Sequence, residues 1–167
     1  MSMLIDQLRA FFLPNLNKRF VIRAALVAAL AFVVFHFFLI PFRIHGHSMA
    51  PTYSDGRVNF CNTLRYAFSS PDRYDIVAVR MAGRSVMLLK RVVAVAGETV
   101  AFKSGELHIN GRKLEEPYIN YTYDWTLSPR QVKPEHIYVV GDNRRVPMEQ
   151  HHFGQTPINR IVGAPLW

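Results

Sequence analysis

VMLLKRVVAVAGETVAFKSGELHING, residues 86–111, decides the fold class. Its first part, 86–96, is apolar except for Lys90 and Arg91. Two shorter runs follow, at 99–103 and 106–109, set apart by Ala-Gly-Glu, Lys-Ser-Gly-Glu and Asn-Gly. Short apolar runs bounded by glycine turns predict strands rather than helices. Asn110-Gly111 suits a type I′ hairpin turn, because both residues tolerate positive φ. No helix fits between these strands, so they are predicted to run antiparallel.

The same pattern extends in both directions. Strands are predicted at 75–81 and 137–140, and turns at 54–56, 69–73 and 81–84. Residues 129–134, with a proline at each end, read as a loop. There is no internal repeat and no long linker. The chain beyond residue 42 is therefore predicted to be mainly β, a single antiparallel-sheet domain over 43–167.

Upstream, residues 24–42 read AALVAALAFVVFHFFLIPF, with no formal charge and one histidine, His36. At ~1.5 Å per residue this run falls just short of the ~30 Å hydrocarbon thickness of a bilayer. Residues 20–22 extend it if Arg23 reaches back to the headgroups. The expected organisation is a cytoplasmic segment over 1–19, one transmembrane helix over 20–42, and the β domain beyond. Arg9, Lys18, Arg19 and Arg23 against Asp6 place the N-terminus on the cytoplasmic side. A cleaved leader would carry small residues at its end, whereas IPFRIHG follows here.

Composition narrows the partners. The 167 residues carry a formal charge of +8, half are apolar and 19% are charged, which excludes a disordered chain. Basic residues are scattered from Arg9 to Arg160 without a run of five or an interleaved aromatic pattern. Nucleic acid is thus not expected, and anionic membrane lipid is. Cys61 alone forms no intramolecular disulfide and no thiolate zinc site. His151-His152 lacks further ligands at metal spacing, so no metal or cofactor is expected.

IHGHSMAPTY, residues 44–53, presents Ser48 in a segment tightened by Gly46 and Pro51. Such a segment can expose a hydroxyl and leave the serine N–H free for an oxyanion. The hydroxyl needs a base to act as a nucleophile. His47 is adjacent, but neighbouring side chains of an extended segment point to opposite faces, and His45 reads as a surface residue. Lys90 is the alternative. Desolvation can lower a lysine pKa by up to ~3–5 units, and the neutral amine is a competent general base. The strand pattern alone leaves open whether Lys90 is buried or solvated. Arg91 keeps its charge and needs an anion if buried. The Gly-Asp-Asn of GDNR, 141–144, is either a locally bonded turn or a means for Asp142 to neutralise Arg91 and leave Lys90 unpaired.

Three ordered segments resemble type I signal peptidase, the membrane-bound serine protease that removes signal peptides from exported preproteins. HGHSMAPT resembles its nucleophile motif, LKRVVAVAGE its base-bearing strand, and VKPEHIYVVGDNR with FGQTPINRIVG its closing segment. NGRKLEEPYI resembles the connecting hairpin. The resemblance implies a fold of two antiparallel sheets lying on the bilayer surface. It implies Ser48 as nucleophile and oxyanion donor, Lys90 as general base, and Phe42, Ile44, Met49 and Leu89 as substrate-binding residues. Arg91, Asp142, Asn143 and Arg144 would be structural supports. It also implies a bacterial inner-membrane enzyme with its catalytic domain outside. The chain departs from the family pattern after GDNR: RVPMEQHH places Pro147 where a serine ordinarily bonds the lysine. Gly46 stands where some members carry a second oxyanion donor. A dedicated processing peptidase of a secretion or conjugation system, or an inactive signal-peptide-binding homologue, are the alternatives this departure raises.

Overall fold

The computed structural model describes residues 17–82, 86–151 and 154–167. The expected turn at 81–84 falls largely outside these residues, as does most of the 1–19 segment. The chain divides into two units, Met1–Phe37 and Phe38–Trp167.

In the first unit, helix α1 spans Lys18–Val33. It starts where the Asn17 side chain accepts the Phe20 N–H at 2.8 Å, a helix N-cap. It continues through a wider π turn at Val34–Phe38. Lys18–Phe38 contains an 18-residue stretch with a mean hydropathy of 2.3, and its 21 residues reach about 30 Å, enough to cross a bilayer. No residue of α1 is buried within the protein. Leu, Val, Phe and Ala side chains face outward all round, which water does not favour but a lipid solvent does.

The apolar run does not stay helical to residue 42. Leu39–Arg43 is the first strand, β1. Its alternating exposure, with Phe42 partly buried, and its pairing to the next strand account for the switch. Hydropathy alone does not separate a spanning helix from an apolar strand that follows it directly.

The second unit is antiparallel β. After β1 come β2 (Val58–Asn62), β3 (Ile76–Ala82), β4 (Val86–Ala94), β5 (Thr99–Lys103) and β6 (Glu106–Ile109). Then follow β7 (Arg112–Lys113), β8 (Leu127–Gln131), β9 (His136–Val140), β10 (Gly154–Pro157) and β11 (Ile161–Pro165). One sheet has the order β1-β2-β11-β3-β4-β9-β10, the other β7-β6-β5-β8. Asn110 and Gly111 take φ of 52° and 80° and join β6 to β7, with Ile109 opposite Arg112, as a type I′ hairpin requires. The expected loop at 129–134 begins instead as strand, because β8 lies at the sheet edge, where a proline without an N–H is tolerated.

Among the described residues, three apolar clusters hold the domain. Phe102, Leu107, Trp125, Val93 and Val140 fill the largest, which β4 and β9 share with the smaller sheet. Val77, Val79, Val92, Ile137 and Val139 form the second. The third gathers Ile44, Met49, Cys61, Ala78 and Leu89, with Phe42 packed against it, and it underlies the Ser48 loop.

Candidate active site

Strand β4 delivers two cations to the interior. Lys90 is 3% exposed and Arg91 8%. Alternation sends the two side chains to opposite faces of β4, and both are buried. Their treatment differs. Arg91 donates from Nε to Asp142 Oδ1 at 2.9 Å and from Nη2 to Oδ2 at 2.6 Å, a bidentate pair. Its Nη1 donates to the Tyr74 carbonyl, and its guanidinium lies 3.9 Å from the Tyr118 ring centroid. Among the described residues, Lys90 forms no ion pair. Burial lowers its pKa from the ordinary 10.5 to about 8, and the Asp142 carboxylate offsets only part of that.

Asp142 and Asn143 also grip the loop that carries Ser48. Thr52 Oγ1 donates to Asp142 Oδ2 at 2.5 Å, so one carboxylate holds both the loop and Arg91. The Asn143 backbone N–H donates to the Ser48 carbonyl at 3.0 Å, and its side-chain amide donates to the His47 carbonyl at 2.9 Å. Between them Gly141 allows a close approach. A Cβ there would collide with the Ser48 carbonyl oxygen and would lie 3.4 Å from Lys90 Nζ. The absence of a side chain at 141 therefore brings the serine loop down onto the lysine.

Ser48 and Lys90 line one cavity of about 390 Å³, with Leu88 and Val146 as apolar wall. Leu88 shares the Lys90 face of β4 by period-two alternation. Leu89 faces the other way, into the cluster of Ile44 and Met49. His45 and His47 are exposed and line the same cavity. Gly46 takes φ of +87° and donates its N–H to Asp55 Oδ1 at 2.8 Å, which fixes the turn before Ser48. Arg144 is buried, pairs with Glu116 at 2.6 Å and donates from Nε to the Gly141 carbonyl at 2.8 Å. It thereby braces the Gly-Asp-Asn turn from beneath. Pro147 precedes a 3-10 turn, Met148–Gln150, and brings no side-chain hydrogen bond.

Thr52, Gly141, Leu88 and Glu116 belong to this arrangement and were not singled out by sequence reasoning. Alternation from Lys90 would have found Leu88. The other three depend on contacts between residues far apart in the chain, for which a single sequence carries no signal.

A loop hydroxyl and a buried amine that forms no ion pair among the described residues line one cavity, an arrangement that suits the acyl-transfer chemistry of a serine peptidase. Residues 17–166 match the model of the family described as signal peptidase, peptidase S26, and the chain belongs to that family. It is 33% identical to signal peptidase I of Bacillus caldolyticus, over 85% of this chain and 83% of that one. It is 35% identical to signal peptidase I of Bacillus amyloliquefaciens, over 85% of this chain and 80% of that one. A crystal structure of signal peptidase I from Enterococcus faecalis V583 aligns at TM-score 0.45 and 30% identity, covering 57% of this chain and 97% of that one.

Proposed function

We propose that this chain is a serine endopeptidase that removes N-terminal signal peptides from exported preproteins, with Ser48 as nucleophile and Lys90 as general base. The observation that carries this reading is the shared cavity, lined by both the loop serine and a buried lysine that forms no ion pair among the described residues. A pKa of about 8 leaves roughly a tenth of Lys90 neutral at pH 7, against ~1 in 3,000 for an unperturbed lysine.

The steps follow from these groups. Ser48 Oγ attacks the scissile carbonyl carbon while Lys90 Nζ takes the hydroxyl proton. The Ser48 N–H stabilises the developing oxyanion. The Lys90 ammonium then protonates the leaving amine of the mature chain, and the signal peptide remains as an ester on Ser48. Water attacks that ester with Lys90 again as base, which releases the signal peptide and restores the serine. Phe42, Ile44, Met49 and Leu89 pack together under the loop, outside the lining of the Ser48–Lys90 cavity, whose apolar wall is Leu88 and Val146. Arg91, Asp142, Asn143 and Arg144 hold the loop against the lysine.

The apolar helix and the relatives support a membrane-anchored protein. Lys18, Arg19 and Arg23 at its start favour a cytoplasmic N-terminus and a catalytic domain outside the bacterial inner membrane. Lipid contact by the β domain is supported by Val58, Leu64, Phe68 and Trp167, all exposed.

The pH–rate profile tests the base. Lys90 acts in its neutral form, so kcat/KM rises as pH increases and levels off above a pKa of about 8. A limb centred near ~6.5, the ordinary range of imidazole, would assign the role to a histidine instead.

A further inference from the structure

A neutral lysine amine turns freely about its last carbon–nitrogen bond, and only one orientation aims its lone pair at the Ser48 hydroxyl. A fixed hydrogen-bond partner removes that freedom. The carboxylate near Lys90 does not serve, because both oxygens of Asp142 are held by Arg91 and Thr52. Asn143 is committed as well: its amide nitrogen donates to the His47 carbonyl and its oxygen accepts the Arg145 N–H. Of the remaining polar side chains lining the cavity, His45, His47 and Gln150 are exposed, and only His151 is partly buried.

His151 is held in place from two sides. Its backbone N–H donates to the Met148 carbonyl at 3.0 Å, closing the 3-10 turn. Its ring meets Trp125 edge to face, with centroids 4.7 Å apart. Trp125 is itself buried in the core, with its indole N–H donating to the Val146 carbonyl at 2.8 Å. The imidazole anchored this way lines the cavity wall that Lys90 and Ser48 share.

We propose that His151 is a positioning residue for the reaction, accepting a hydrogen bond from Lys90 Nζ and so aiming its lone pair at Ser48. The titratable groups facing the cavity are Lys90, His45, His47 and His151, and Asp142 lies next to Lys90. The inference rests on the Ser48–Lys90 reading above and makes the imidazole, rather than a serine hydroxyl, the orienting group.

Three variants of the full-length protein in detergent test it, with kcat and KM measured on a preprotein carrying alanine before the scissile bond. His151→Ala lowers kcat by about 10- to 100-fold and leaves KM within about twofold. His151→Phe keeps the packing on Trp125 without a nitrogen, and it falls as far as His151→Ala. His151→Gln restores an acceptor and recovers at least about tenfold over the phenylalanine variant. Wild-type kcat in His151→Phe would make the role one of packing and overturn the proposal. So would unchanged kcat in His151→Ala, or a glutamine variant no better than phenylalanine. Lys90→Met, run alongside, separates the two claims. If it is inactive while the His151 variants are unaffected, only the positioning role fails; if it retains turnover, the dyad itself fails.

Discussion

Lys90 shows how one side chain can be placed against its own stability. Burial opposes its charge, and its folded pKa of about 8 lies below the ordinary 10.5. Below pH 8 the ammonium persists in both folded and unfolded chains, so the full cost of burying it is present at neutral pH. Between about 8 and 10.5 the unfolded state binds more protons than the folded one, and that cost is relieved as pH rises. Lys90→Met should therefore stabilise the protein by about 1–3 kcal/mol at pH 7, with the gain shrinking towards pH 10. Denaturant titration at pH 7 and pH 10 measures it; a destabilised variant at pH 7 would mean that the charge is not buried at a cost. The sequence made Lys90 visible as a cation within a strand of apolar residues. It made Ser48 visible through the glycine and proline around it. It did not reveal Gly141, whose importance comes from a loop some ninety residues earlier.

Among the elements, the Gly-Asp-Asn turn after β9 does the assembling. One carboxylate joins Thr52 of the serine loop to Arg91 of β4, and its neighbour Asn143 holds two carbonyls of that loop. Asp142→Ala leaves Arg91 buried without its anion and should cost about 3–5 kcal/mol in unfolding free energy. Urea denaturation of the variant checks this, and a loss under about 1 kcal/mol would show that the pair is not the tie described here. Strands β3, β4, β5, β6 and β9 were legible because their apolar residues and glycine turns agree. Strand β2 was not. Its inward positions are Asn59 and Cys61, while Val58 is exposed, which reverses the usual alternation. Asn59 faces inward because its amide bonds the backbone of Phe60, Leu166 and Trp167. Strand β1 was hidden in an apolar run that continues the helix without a break.

For the molecule as a whole, an apolar helix precedes a β domain that leaves Phe68 and Trp167 exposed. The sequence announced the helix and the antiparallel class. It did not announce the strand order, which joins β11 at the C-terminus to β2 and β3 near the start of the domain. Nor did it announce that β4 pairs directly with β9, whose following turn holds the serine loop. The central claim is that the two side chains brought together there carry out the cleavage. Purified full-length protein, assayed on a preprotein in detergent, tests it through Ser48→Ala and Lys90→Met. Each folded variant should lose about 10⁴-fold or more in kcat/KM. Cleavage by either variant within about tenfold of the unaltered protein would contradict it.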